Sequence, residues 1–255
     1  MADCAVQLPV LPLYCEQRQN NILTLRKNDD TINLHCVRIK FERKIIMPKG
    51  SPELTEKRKN EILDACEKVY RTQGFYGVNI KDISTQISLT RPAIYNYYET
   101  KEEILLGLLI REYADWCDKL EKLVNTANES DRPELSAQIA DTLKDKVTLL
   151  RILNMNLFEI EQNSRVERLA EFKKQFWRSY TALCNILRAF SAKITAEECE
   201  EFCETFSAFL FGVFPFTTHT KKQREAMELV KISVKEPSIY EMTYRCLMKL
   251  IPDKE

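Results

Sequence analysis

The sequence predicts an all-α protein, and three observations carry that expectation. From Pro52 to Leu250 apolar residues recur three and four positions apart, the spacing of one helix face. Glycine is scarce, with five in 255 residues, which disfavours turn-rich sheet architectures. Ser, Thr, Asp or Asn heads several of these runs with an acidic residue three positions on, the chemistry that satisfies free N–H groups at a helix start. No strand-like alternation follows Met47.

Residues 1–46 read differently. Their apolar residues keep no sustained period, and Asn-Asn and Asn-Asp-Asp clusters interrupt them. We expect Met47 to be the native start, with residues 1–46 an atypical extension. The alternative is a true N-terminal arm with a short strand near Asn33 to Phe41.

The first helix is expected from Pro52 to Thr72, with Ser51 as cap, proline tolerated in the first turn and Gly74 at the stop. Its inner face is Ile62, Leu63, Cys66, Val69 and Tyr70. A second helix begins at the cap Asn79 and buries Ile80, Ile83 and Ile87. Thr90 stands where a third can be capped, with Pro92 in its first turn. Thr100-Lys101-Glu102-Glu103 reads as a capping box opening a fourth helix to about Val124. Further helices are expected at 133–153, 155–163, 165–191, 195–214, 221–233 and 237–250.

The stretch from Ile83 to Ile104 reads ISTQISLTRPAIYNYYETKEEI, and its end, Tyr-x-Tyr-Tyr followed by x-x-Lys-Glu-Glu-Ile, is the most specific part. It resembles the helix-turn-helix signature of the TetR/AcrR family of bacterial transcriptional regulators. One departure is Ile87-Ser88, where the family usually has Ala-Gly in the turn, so the turn is expected to be remodelled. The resemblance implies a helix-turn-helix domain over 47–100, a ligand-binding and dimerisation domain over 101–255, and a homodimer on a near-palindromic double-stranded DNA operator. Its two reading heads would lie about 34–36 Å apart.

The residues support that implication. On the third helix Ile94 and Tyr98 are one turn apart and suited to pack inward, leaving Arg91, Ala93, Asn96 and the ring edges of Tyr95 and Tyr97 for DNA. Arg91 can read guanine and Asn96 adenine, each bidentate pair worth roughly 1–3 kcal/mol of discrimination. Tyr95 and Tyr97 suit phosphates, a role the corresponding family positions often have. Lys101 stands at a helix start that already favours an anion, and the family carries a phosphate-contacting lysine there. Lys81 is a second phosphate candidate, and Thr90 and Pro92 complete the expected DNA-facing set. For each lysine the plain alternative is a solvated surface charge.

Two apolar stripes are expected to form the dimer interface: Phe202, Phe206, Phe209, Leu210 and Val213, then Ile239, Met242, Cys246, Leu247 and Leu250. Periodicity alone allows the same stripes to face the protomer's own core. Trp116, Met155, Phe158, Phe172, Phe176, Trp177 and Tyr180 offer aromatic and sulfur surface for an apolar effector.

Net charge is zero, so a DNA-binding surface must be a local basic patch. The expected protein is cytoplasmic: no apolar run approaches the ~18 residues of a membrane span, and Pro9 and Pro12 break the N-terminal apolar stretch. Nine scattered cysteines without a Cys-x-x-Cys pair read as reduced thiols, with a redox sensor or metal site as the minor alternative; Cys199 and Cys203 share a helix face. His35 and His219 are too far apart in sequence to favour a metal, and no catalytic motif is present, so no metal, cofactor or enzymatic activity is expected. The expected function is a repressor released by a small effector. The alternatives are an activator, or a helical scaffold that binds a protein partner.

Overall fold

Twelve helices form among the described residues of the computed structural model, which are 51–233 and 235–253, and no strand forms among them. The readings of residues 1–46 lie outside the described residues.

Helix α1 (Pro52–Gly77) starts where Ser51 Oγ accepts the Leu54 N–H at 3.3 Å. It buries Ile62, Leu63, Cys66, Val69 and Tyr70. Gly74 interrupts it at φ 72° and ψ −175°, a backbone that a side chain would strain, and Phe75–Gly77 then add a last turn. Helix α2 (Ile80–Thr85) is capped by Asn79 Oδ1, 2.9 Å from the Asp82 N–H. Helix α3 (Arg91–Tyr95) begins after Thr90, whose side chain makes no cap bond, contrary to expectation. The turn between them needs no left-handed residue: Lys231 is the non-glycine residue of positive φ among those described, so Ser88 stands in an ordinary conformation.

Helix α4 (Lys101–Leu123) is the spine, packed against α1 and against α5 (Arg132–Leu143), α7 (Leu157–Gln162) and α8 (Val166–Phe190). Its buried side carries Ile104, Leu105, Leu108, Leu109, Tyr113, Trp116 and Leu120. Gly107 lets α1 and Tyr98 approach closely, because a Cβ there would sit 3.1 Å from Leu63 Cδ2 and 3.2 Å from the Tyr98 hydroxyl. The expected single helix over 133–153 is two, α5 and α6 (Val147–Met155). The break is held by Lys146, which is buried and places its ammonium 2.9 Å from Glu112 Oε2 and 2.6 Å from Asp115 Oδ2 of α4.

Helix α9 (Ala196–Gly212) has the capping box read from its sequence: Thr195 Oγ1 accepts from Glu198 N at 3.2 Å, and Glu198 Oε2 from Thr195 N at 2.8 Å. Short α10 (Phe214–Thr217) and α11 (Lys221–Leu229) follow, then α12 (Ile239–Leu250), capped by Ser238 and Glu241. The two stripes expected at the dimer interface divide between two environments. Phe202, Phe206, Leu210, Val213, Ile239 and Leu247 are buried within the protomer, while Phe209, Met242, Cys246 and Leu250 are half-buried against the same core. The reason is local: α9 packs against α6, α8 and α12, and α12 packs on α5, so the inner side of each stripe is covered within the protomer and the half-buried residues keep exposed surface. Each fully buried Phe or Leu contributes about 1.5–3 kcal/mol, which turning these faces outward would forfeit.

Candidate nucleic-acid interface

The first residues of α2, α3 and α4 gather around one open groove of about 420 Å³, lined by Asn79, Ile80, Lys81, Arg91, Tyr95, Glu99, Thr100, Lys101 and Glu102. Four of the DNA-facing residues expected from sequence, Lys81, Arg91, Tyr95 and Lys101, therefore share one surface. The first N–H groups of a helix lack intrahelical partners, so the start of the 23-residue α4 brings polar donors and a positive dipole end to this groove.

The side chains are held in different ways. Lys81, Thr90, Arg91, Pro92 and Asn96 are exposed, Ala93 is half-buried, and Tyr95 is 53% exposed. Lys101 is half-buried: its ammonium lies 4.6 Å from the centre of the Phe75 ring and 3.9 Å from Glu102 Oε1. The aromatic face and the carboxylate fix the direction of the charge, which cuts the entropy lost if it meets a phosphate.

Tyr97 departs from the expectation. It is buried, and its hydroxyl accepts from Arg58 Nη1 at 3.4 Å, so it braces α3 against α1 instead of presenting a ring edge. The helical part of α3 ends at Tyr95, and the backbone then turns so that Tyr97 and Tyr98 both point inward with Ile94.

Sequence reasoning misses the clasp beneath this surface. A capping box would return Glu103 to the Thr100 N–H; instead its Oε2 accepts the Glu99 N–H at 2.8 Å, and its carboxylate is gripped by the Arg165 guanidinium at 2.5 and 2.8 Å. Arg165 also reaches Glu99 at 2.9 Å. Burial alone would raise the Glu103 carboxyl, but the hydrogen bonds from Arg165 and from the Glu99 and Arg165 N–H groups outweigh it and hold its pKa below the ordinary 4.5. Beside it, Thr100 Oγ1 donates to the Asn163 carbonyl at 3.1 Å, and Arg168 donates to the Tyr97 carbonyl at 3.0 Å with its guanidinium over the Tyr98 ring. The partners stand some sixty to seventy positions apart, so no local pattern could announce them.

The seven expected effector residues lie in different environments. Trp116 and Phe172 are core, the first bonding Thr142 Oγ1 at 2.9 Å, and Phe176 joins Tyr113, Phe172 and Phe211 in a chain of ring contacts. Met155 and Phe158 are exposed, and Trp177, also exposed, stacks on Tyr180 at 5.0 Å. Trp177 does line an open apolar groove of about 580 Å³ along α8, with Val166, Leu169, Ala170, Lys173 and Lys174.

Comparison with known proteins points to transcriptional regulators. The chain is 29% identical over 75 residues to the uncharacterized HTH-type transcriptional regulator YfiR of Bacillus subtilis (strain 168), covering 29% of this chain and 37% of that protein. It is 33% identical over 54 residues to the HTH-type transcriptional regulator HbdR of Aromatoleum sp. (strain CIB), covering 21% and 24%. The chain thus spans about a third and a quarter of the length of these curated relatives. The fold is shared with the transcriptional regulator FadR from Bacillus subtilis in complex with stearoyl-CoA, at a TM-score of 0.51 and 16% identity over 75% of this chain and 97% of that one. Residues 62–108 match the family described as bacterial regulatory proteins, tetR family, and residues 110–248 match the tetracyclin repressor-like C-terminal domain. The second match alone spans more than half of the sequence, and the chain belongs to the TetR family of DNA-binding transcriptional regulators.

Proposed function

We propose that the chain is a homodimeric repressor that reads a near-palindromic operator with α3 and is released from it by a small apolar effector. The observation that carries this reading is the convergence of Lys81, Arg91, Tyr95 and Lys101 on one groove at the start of α4. Arg91 and Asn96 contact base edges in the major groove; Tyr95, Lys81 and Lys101 hold the phosphates that fix register. The half-buried Phe209, Met242, Cys246 and Leu250 of the expected stripes, with exposed Phe216, offer apolar surface that a second protomer can cover.

The effector acts through α8. The helix that carries Val166, Leu169 and Ala170 along the apolar groove also carries Arg168, and Arg165 immediately precedes it; both hold the reading head. A molecule that binds better when this end of α8 is displaced loosens the clasp and misplaces α3, with a typical coupling of ~1–3 kcal/mol. Division of labour between residues 47–100 and 101–255 belongs to the same proposal.

Fluorescence anisotropy of the protein on DNA flanking its own gene, with scrambled competitor, tests the reading. Binding should survive competitor and weaken steeply with salt. Lys101→Ala should lower affinity for all sequences and reduce the salt slope by about one, whereas Arg91→Ala should cost about 1–3 kcal/mol and relax preference at one base pair. Tyr97→Phe should change little. If Arg91→Ala and Lys101→Ala together leave affinity for the best site unaltered, α3 does not read DNA as proposed. Addition of stearoyl-CoA and shorter acyl chains to the bound complex is the first screen for release.

A further inference from the structure

Three thiols meet where α8 packs on α9. Cys184 Sγ of α8 lies 3.5 Å from Cys203 Sγ of α9 and 3.9 Å from the Cys199 carbonyl; Cys199 Sγ is 4.0 Å from the Cys184 carbonyl. Cys203 is 0% exposed and Cys199 1%, while Cys184 is half-buried. One cysteine of the contacting pair thus keeps exposed surface, and the other has none.

We propose that Cys184 and Cys203 are a redox-active pair, closed into a disulfide between α8 and α9 by oxidants of the peroxide class. The Cys184 thiolate attacks one peroxide oxygen; an S–O bond forms, the O–O bond breaks and hydroxide leaves, taking up a proton as water. Cys203 then gives up its proton and attacks the Cys184 sulfur of the sulfenic acid; the S–S bond forms, the S–O bond breaks and a second water leaves. Two thiols are oxidised by two electrons in all, and one peroxide is reduced to two waters. Closure draws the sulfurs from their 3.5 Å contact to the ~2.0 Å of a disulfide.

The surroundings separate this pair from the other thiols. Either sulfur can donate in this contact, but a Cys184 thiolate accepts the Cys203 S–H, which pulls the Cys184 pKa down to about 7 against the opposing effect of burial; Arg188 assists and Glu200 opposes. Cys203, which keeps the shared proton, is held well above the ordinary range. Burial pushes Cys66 up to about 12 and Cys117 and Cys246 to about 11, so these remain protonated and inert at neutral pH.

The test uses the full chain, reduced, freed of reductant and exposed to hydrogen peroxide at pH 7, then alkylated after denaturation. A Glu-specific protease cuts at Glu200 and Glu201, between Cys199 and Cys203, so each thiol is mapped separately. We expect one dithiothreitol-reversible link between the Cys184 and Cys203 peptides within a single chain, with Cys66 fully alkylated. Cys203→Ser should halt at a Cys184 sulfenic acid that dimedone captures, and Cys184→Ser should leave Cys203 fully alkylated. Full alkylation of both after peroxide, a link from Cys184 to Cys199, or a link between two chains would overturn the proposal.

Discussion

Helix α4 holds two ion clusters that are built in opposite ways. At its start the anion is dry and the cation wet: Glu103 is 1% exposed, whereas the Arg165 side chain is 40% exposed. Further along the helix the cation is dry and the anions wetter, with Lys146 at 7% against 17% for Glu112 and 53% for Asp115. Water stabilises a charge left without its partner, so the damaging change at each cluster is loss of the wetter residue, which strands the buried one. The two clusters also answer to different parts of the molecule. The first ties α8 to the reading head, and the second pins the α5–α6 break to the spine.

The largest expected effect is that of Arg165→Ala, which strands Glu103 and should cost about 3–5 kcal/mol in urea denaturation. In the anisotropy assay it should also weaken operator binding, because Glu103 and Glu99 lose the residue that ties them to α8. Asp115→Ala should cost less, about 1–2 kcal/mol, since Glu112 remains with Lys146, and should leave DNA affinity unchanged. Equal losses of DNA affinity from the two variants would show that the clasp has no special hold on the reading head. Smaller still is Lys146→Met, which removes the buried charge and keeps the volume, at about 1 kcal/mol or less.

Acid sharpens the same contrast. Because the Glu103 pKa is depressed in the folded protein, its stabilisation is present above the ordinary value of 4.5 and is lost as pH falls through its lower folded pKa. In Arg165→Ala the guanidinium is gone and only the two backbone N–H bonds still oppose burial, so the folded pKa rises above its wild-type value. Urea midpoints of the two proteins should therefore differ most at pH 7 and converge as pH falls through the wild-type folded pKa, below 4.5. A gap that stays constant with pH would mean that the Glu103 charge is not what Arg165 stabilises.

Local chemistry is legible in the residue order itself. The caps Ser51, Asn79, Thr195 and Ser238 act over three residues, and the buried faces of α1 and α2 follow from the helical period. The reading motif from Thr90 to Lys101 is equally local, so its exposed tip can be placed from spacing alone. Tyr97 escapes that logic because α3 ends at Tyr95, and a helical projection carried two residues too far turns the ring the wrong way. Cys199 and Cys203 are visible as neighbours on one face, but nothing nearby points to Cys184.

What the sequence by itself determined is the all-α class, most helix starts and the family-bearing motif, because each depends on residues within one or two turns of each other. What only the tertiary structure decided is who faces whom. The stripes of Phe206 and Leu247 turn into the protomer because α6, α8 and α5 already stand there. Glu103 leaves its capping box for an arginine 62 positions away. Apolar periodicity specifies that a face is buried, and burial carries no direction; the covering partner is chosen by packing between segments far apart in the chain.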